Sequence, residues 1–357
     1  MVKKLRRIIT YRQWLKATFF AFLVVLVLRT FLFEAYTIPT SSMEKTLQVG
    51  DFIFVNKLSY GARLPITPLS IPFSHQYIPL LGIRSYLTWI QSPYFRLPGI
   101  NSIKRNDIIV FNYPMETGVP IDHRTHYIKR CIALPGDSIE INESKVFVND
   151  SLLELPVNAE LNYIIKTEKK GHFNPDSFAM MGITDGGRIS GKGDYMFSLT
   201  DSALSRVARM NNIKEIKQYV DKRGVANDMV FPNDKKYSWN IDNWGPMKVP
   251  KAGDSTMLTL ENLPLFYRII VFYEKNELEI KYDSIYINGN VSSYYTFKKN
   301  YYFMLGDNRH SSADSRFWGF VPEDHIVGKA VYLFTSVDKS KSFFKKIRRE
   351  RTFKSIE

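Results

Sequence analysis

The chain has 357 residues, of which 45% are hydrophobic and 14% aromatic, and this composition excludes a largely disordered protein. The formal net charge of +14 would suit a nucleic-acid partner, but most of the excess Lys and Arg lies in the two ends, residues 1–16 and 335–357. We therefore expect no nucleic-acid partner. The single cysteine, Cys131, excludes an internal disulfide.

An apolar run at residues 14–33 is about long enough to cross a bilayer. The residues before it are basic, so they should stay in the cytoplasm, and everything after Phe33 should lie outside. A cleavable signal peptide is the alternative. Because no clean small-x-small cleavage site follows the run, we predict an uncleaved transmembrane helix preceded by a basic cytoplasmic segment, 1–13.

Most of the remaining pattern is typical of β-structure. Apolar or alternating runs bounded by turn residues predict strands within 52–55, 106–111, 127–134, 138–141, 145–149 and 281–290. The two hairpin regions are separated by a long insert, 150–280, to which the sequence assigns no chemistry. Apolar residues on a helical period predict one helix in it, near 201–220, with a potential break at Asn211-Asn212.

Two segments leave alternatives open. Residues 64–100 are rich in Pro and aromatic side chains and are either an ordered surface loop or an apolar rim resting on lipid. The basic tail, 336–357, either lies on an anionic membrane surface or extends into solvent.

A cluster of hydroxyl groups follows the apolar run, in Pro39-Thr40-Ser41-Ser42-Met43. Taken alone, the cluster is typical of a turn after a proline. A serine becomes a useful nucleophile only when a base takes its proton, and the usual base is histidine. The histidines form neither a recognisable triad pattern nor a zinc signature, so no metal is expected: His75, His123, His126, His172, His310 and His325.

Lysine is the alternative base, provided that burial lowers its pKa. Lys129 lies in a predicted strand whose alternation puts it on the same face as Tyr127 and Cys131. A lysine that faces a core must be neutral or paired. The sequence therefore leaves two interpretations, a neutral base or a buried ion pair with Asp107 or Asp137.

A third candidate segment is 306–319, which is dense in turn-forming and charged residues and follows an apolar strand. Such a loop can hold hydroxyl and amide groups in fixed positions. Asp307 or Asp314 paired with Arg316 would clamp it. The alternative is a solvated turn between two strands.

Taken together, these segments resemble the type I signal peptidases, the membrane-anchored Ser/Lys endopeptidases of family S26. The resemblance covers the anchor and a catalytic core, in the order anchor, serine, lysine and loop. The matching segments are Ile-Pro-Thr-Ser-Ser-Met at 38–43, Asn-Asp at 106–107, Tyr-Ile-Lys-Arg at 127–130, Leu-Pro-Gly-Asp at 134–137, Gly-Asp-Asn-Arg at 306–309, and 312–322.

The resemblance implies a role for each matching residue. Ser42 is the expected nucleophile, and Lys129 is the expected general base and later the acid for the leaving amine. Ser312 takes the place of the hydroxyl that orients the lysine. Asp314 and Arg316 match a structural acid–base pair, and the matching supporting acid is Asp307.

The resemblance also implies an oxyanion hole, made by the amide of Ser42 and the hydroxyl of Thr40, where serine is common in the family. The chain departs from the family pattern nearby, because Lys45 stands where proline is usual and Glu44 precedes it. Ala133 stands where glycine is frequent. The path of the loop after Ser42 is therefore left open.

By resemblance, the fold class is mostly β, with a coiled antiparallel catalytic core, an inserted β-rich or α+β second domain and one N-terminal transmembrane helix. The expected domains are a cytoplasmic segment at 1–13, the helix at 14–33, a catalytic core at 34–149 and 281–335, an insert at 150–280 and a tail at 336–357.

The implied function is cleavage of signal peptides from exported preproteins, without a cofactor. The implied partners are signal peptides, the lipid bilayer and the export machinery. The implied location is the bacterial cytoplasmic membrane, with a single span, the N-terminus inside and the catalytic domain outside. A Ser/Lys protease with another substrate and a non-catalytic membrane-tethered scaffold are the alternatives.

Overall fold

In the computed structural model, residues 2–167, 178, 180–190, 193–338, 341–342 and 346–356 are described. The chain begins with helix α1, Val2–Phe31. Its part Tyr11–Phe31 has a mean hydropathy of 1.8 and is long and apolar enough to cross a membrane. The helix ends two residues before Phe33, which already belongs to strand β1, Phe33–Thr37.

The main sheet is antiparallel and curled, which agrees with the predicted fold class. Its strand order is β1-β2-β20-β3-β4-β18-β19, with β21 added to β20. The further strands in it are β2 Asp51–Asn56, β3 Ile108–Asn112, β4 His126–Ala133, β18 Tyr301–Leu305, β19 Val321–Pro322, β20 Ile326–Ser336 and β21 Lys354–Ser355. β2 to β4, all predicted from their apolar runs, are almost entirely buried on at least one face.

Two smaller sheets extend this core. The predicted hairpin pairs β5, Ser138–Asn142, with β6, Lys145–Val148, and lies in a sheet of order β12-β5-β6-β7. The other sheet of that size has the order β11-β8-β10-β9. The remaining strands of both sheets are β7 Ser151–Leu152, β8 Leu161–Thr167, β9 Gly186–Arg188, β10 Asp194–Leu199, β11 Ile213–Gln218 and β12 Trp244–Lys248.

The rest of the insert and the return to the core consist of short elements. Helix α3, Leu263–Arg268, continues as a single π-helical turn, Ile269–Tyr273. The predicted strand region near 281–290 is a small three-stranded sheet. The short strands are β13 Ser255–Met257, β14 Leu278–Lys281, β15 Ser284–Ile287, β16 Asn290–Val291 and β17 Tyr294–Thr296.

The predicted helix near 201–220 is wrong in its second half. Helix α2 covers only Asp201–Val207, where Thr200 caps the first turn. Ile213–Gln218 is strand β11 instead, paired with β8. Pairing with β8 decides the structure of this segment, despite the helical spacing of its apolar residues. The change from helix to strand falls near Asn211-Asn212, where the sequence predicted a break.

The described part of the tail folds back onto the main sheet, which neither sequence interpretation anticipated. β21 pairs with Tyr332 and Leu333 of β20, and Arg351 forms a 2.6 Å ion pair with buried Asp51. Residues 339–340, 343–345 and 357 of the predicted tail lie outside the described residues.

Candidate active site

Ser42 lies in the connection between β1 and β2. Met43 and Leu47, both fully buried, anchor this connection in an apolar cluster that includes Ile53 of β2, and the Leu47 N–H donates to the Met43 carbonyl. Ser42 itself is buried. Apolar packing of the residues that follow Ser42 therefore holds the serine in place.

Lys129 lies in β4, opposite Ile109 of β3. Its side chain is only 3% exposed, and its Nζ lies 2.5 Å from the Ser42 Oγ and 2.9 Å from the Ile128 carbonyl oxygen. As alternation predicted, Tyr127 shares its face, since the ring centre is 5.7 Å from Nζ. The fold thus brings two residues that are 87 positions apart into hydrogen-bond contact.

Burial lowers the pKa of Lys129 from 10.5 to about 8, because the charged ammonium loses its hydration. The carboxylates of Asp314 and Asp307 act in the opposite direction, and Arg316 adds to the lowering. A neutral amine is therefore far more abundant here than for a lysine in water.

The alternative ion pair with Asp107 or Asp137 is not formed. Asp107 accepts from the Tyr60 hydroxyl and pairs with Lys329 at 2.5 Å. Asp137 pairs with Arg105 at 2.9 Å on the surface. Both carboxylates are engaged by other cations, so neither holds Lys129 in its charged form.

The loop 306–319 is a buried scaffold, and its interpretation as a solvated turn is wrong. Asp314 is fully buried and binds Arg316 through both carboxylate oxygens, at 2.9 and 2.8 Å. It also accepts from the Gly306 N–H at 3.1 Å. Desolvation by burial raises the pKa of Asp314, whereas the charge of Arg316 and these hydrogen bonds lower it. The net result is a pKa below the ordinary value.

Asp307 binds Arg130 rather than Arg316. The Arg130 guanidinium donates to both of its carboxylate oxygens, at 2.8 and 2.7 Å. The Thr46 hydroxyl donates to the same carboxylate at 2.6 Å, and the Asn308 N–H donates to the Ser42 carbonyl at 3.1 Å. The loop is thereby tied to the segment on both sides of Met43.

Ser312 is buried beside this junction, but its hydroxyl has no hydrogen bond among the described residues. It lies against Gly306, where a Cβ would be 2.2 Å from the Ser312 Oγ and 2.6 Å from the Ser42 carbonyl oxygen. Thr40 is exposed, two residues before Ser42. The structure thus brings Ser42 and Lys129 together. It places Ser312 against the adjoining Gly306 without a hydrogen bond to Lys129, and leaves Thr40 at the solvent side.

Sequence reasoning assigned no role to Arg130, Thr46 or Glu160. Arg130 belongs to the matching segment at 127–130. Its partner Asp307 is 177 residues away, and strand alternation does not predict this pairing. Glu160 lies in the insert, where the sequence offered no pattern. Its carboxylate is 3.6 Å from the Lys45 Nζ, next to the serine loop.

Comparison with known proteins gives consistent matches. The family described as "Signal peptidase, peptidase S26" matches residues 11–251 and 274–335. Signal peptidase I of Buchnera aphidicola subsp. Acyrthosiphon pisum is 30% identical over 337 residues, 91% of this chain and 76% of its own length. Signal peptidase I of Haemophilus influenzae is 26% identical over 332 residues, 92% of this chain and 70% of its own. That of Pseudomonas aeruginosa is 37% identical over 139 residues, 39% of this chain and 38% of its own.

Proposed function

Since the chain belongs to the signal peptidase family, peptidase S26, we propose that it is a membrane-bound serine endopeptidase that removes signal peptides from exported preproteins with a Ser42–Lys129 dyad. The observation that carries this proposal is the 2.5 Å approach of the Lys129 Nζ to the Ser42 Oγ, combined with a pKa of about 8 for that lysine.

The dyad would act as nucleophile and base. With a pKa of about 8, roughly a tenth of the Lys129 side chains are neutral at pH 7. The neutral amine takes the Oγ proton as Ser42 attacks the scissile carbonyl carbon, and the resulting ammonium donates that proton to the leaving amine. The acyl-enzyme is then hydrolysed by a water molecule that Lys129 deprotonates in the same way.

Three further groups have supporting roles in this proposal. The Ser42 N–H and the Thr40 hydroxyl stabilise the oxyanion as charge develops on the carbonyl oxygen. The buried Ser312 hydroxyl forms no hydrogen bond with any residue that the structure describes, and it would orient the Lys129 amine by rotating towards the Nζ.

Two buried ion pairs fix the loop 306–319, which contacts the Ser42 backbone. Asp314 with Arg316 and Asp307 with Arg130 form bidentate contacts at 2.7 to 2.9 Å, a geometry that resists rotation. They fix the loop whose Asn308 N–H holds the Ser42 carbonyl.

Membrane attachment is supported by the position of helix α1. Ser42 follows the end of this helix at Phe31 by eleven residues, so the site would lie near the outer lipid surface. Phe73 of the 64–100 segment contacts Phe22 of the helix, with ring centres 5.8 Å apart, and lies 4.9 Å from the Arg29 guanidinium. This favours the apolar-rim interpretation of 64–100.

We place the protein in the bacterial cytoplasmic membrane with one span, its basic N-terminus inside and the catalytic sheet outside. The membrane then delivers the cleavage site of a tethered preprotein to Ser42, and the export machinery is a natural neighbour.

The test uses the full chain in detergent with a purified preprotein. Cleavage at a small-x-small site that Ser42→Ala and Lys129→Ala both abolish is the expected result. Cleavage that persists in Lys129→Ala would refute the dyad. No cleavage by folded wild-type protein would favour a scaffold, and cleavage only of other proteins would indicate a Ser/Lys protease with a different substrate.

A further inference from the structure

Lys45, three residues after Ser42, has an unusual backbone conformation. Its φ is +67°, in the left-handed region that side chains other than glycine rarely adopt. Proline cannot stand at such a position, because its ring fixes φ near −65°. The loop after the serine therefore follows a path that the usual family proline would exclude.

The Lys45 side chain reaches across to the insert. Its Nζ donates to the Thr184 Oγ1 at 2.8 Å and lies 3.6 Å from the Glu160 Oε1 and 3.7 Å from the Glu44 Oε1. A lysine, unlike the proline, can make these contacts. They provide a reason for the loop to keep its unusual backbone.

Glu160 depends on this contact. Its side chain is only 1% exposed, and within the described residues neither carboxylate oxygen has a hydrogen bond. A buried carboxylate without a partner is unfavourable, so the Lys45 ammonium is the cation that stabilises its charge. Burial, together with the charges of Glu44 and Asp185, raises the pKa of Glu160, and Lys45 lowers it, so that the pKa lies at about 7.

The backbone of Glu160 is fixed to the other side of the site. Its N–H donates to the Asp307 carbonyl at 2.8 Å, and its carbonyl accepts from the Arg309 N–H at 3.0 Å. The intervening residue, Asn308, holds the Ser42 carbonyl through its N–H. One insert residue therefore contacts both loops that carry the site.

We infer that Glu160 and Lys45 are positioning residues of the peptidase reaction, and that through them the insert holds the serine loop in the path that keeps the Ser42 Oγ beside Lys129. The inference rests on the function proposed above. Without the ion pair, Lys45 is free to adopt an ordinary φ, and the segment 43–47 shifts. Ser42 then spends less time within reach of the amine, while the rest of the substrate-binding surface is unchanged.

The test compares full-length wild type with Glu160→Gln, Lys45→Met, the double variant and Lys45→Arg, in detergent with one preprotein. Glu160→Gln and Lys45→Met should each lower kcat about tenfold or more with KM nearly constant, because small displacements of reacting groups act on the chemical step. The double variant should be no slower than the single ones, and Lys45→Arg should recover most of kcat. Lys166→Met is the control. It removes a 2.8 Å surface ion pair between β8 and Glu215 of β11 in the insert, and should change neither kcat nor KM.

A second measurement does not depend on cleavage. Amide hydrogen exchange of residues 43–47 should be faster in Glu160→Gln than in wild type and Lys166→Met. Unchanged kcat in both single variants, losses that multiply in the double variant, or equal exchange in all proteins would each overturn the inference. If wild type cleaves no preprotein, the proposed function fails, and the exchange comparison alone still supports or overturns the positioning role.

Discussion

Burial of Lys129 should lower the free energy of unfolding, even though the proposed reaction requires this residue. Its side chain is 3% exposed and its pKa falls from 10.5 to about 8. Since one pKa unit corresponds to about 1.4 kcal/mol, keeping the proton in the folded state costs about 3 kcal/mol at pH 7. Replacing Lys129 by Met keeps the length of the side chain and removes the charge.

Lys129→Met should therefore be inactive and more stable than wild type at pH 7. The variant also loses the contacts to the Ser42 Oγ and the Ile128 carbonyl. Each lost contact costs roughly 1 kcal/mol, which offsets part of the gain from removing the charge. The expected net gain in the free energy of unfolding is about 1–2 kcal/mol.

The gain should also depend on pH. Between pH 8 and 10.5 the unfolded lysine binds more protons than the folded one, so wild-type stability rises with pH in this window. The advantage of Lys129→Met should be constant below pH 8, shrink as the pH rises above 8 and reverse before pH 10.5, because the charge penalty vanishes while the two lost contacts remain lost.

Urea unfolding of the full chain in detergent, followed by tryptophan fluorescence at several pH values, measures both effects. Ser42→Ala is the matched control, because it is also expected to be inactive but retains the buried lysine. A Lys129→Met variant that is less stable than wild type at pH 7, or whose advantage does not change above pH 8, would refute the reasoning.

Three other changes test the rest of the site. Single-turnover cleavage should accelerate about tenfold per pH unit up to a pH of about 8 and then level off, because only the neutral amine accepts the Ser42 proton; a flat profile from pH 6 to 8 would contradict this. Gly306→Ala should lower kcat by roughly 100-fold, since its Cβ would displace the Ser42 carbonyl, and unchanged kcat would exclude this packing. Asp314→Asn leaves Arg316 buried without its carboxylate and should lower the free energy of unfolding by about 3–5 kcal/mol, whereas surface Asp137→Asn should lower it by under about 1 kcal/mol.

The local parts of the structure were predictable from the sequence. Strand β4 was predicted at 127–134 and lies at His126–Ala133, because a short, mainly apolar segment bounded by a Pro-Gly turn is typical of a buried strand. The same strand gave Lys129 as a candidate, since a lysine in such a run must be neutral or paired. Its separation from Ser42 was not predictable, because it depends on how the sheet curls.

The insert was not predictable for a different reason. The contacts of Glu160 are with Lys45 and Asp307, each more than a hundred residues away along the chain, and no periodicity encodes such pairs. The second half of the predicted 201–220 helix failed because pairing with β8 decided its structure. Sequence patterns report burial, whereas partners are decided by topology.

The lowered pKa of Lys129 follows from burial and from how the surrounding charges are distributed. The four acidic residues in the matching segments of the strands and the loop all have cations of their own: Asp107 pairs with Lys329, Asp137 with Arg105, Asp307 with Arg130 and Asp314 with Arg316. Within the part of the chain that the structure describes, no carboxylate lies at ion-pair distance from the Lys129 amine. A buried ammonium without an anion beside it has a lowered pKa. Arg130 and Arg316 thus act on Lys129 indirectly, because each of them pairs with a carboxylate that would otherwise raise the pKa of Lys129 further.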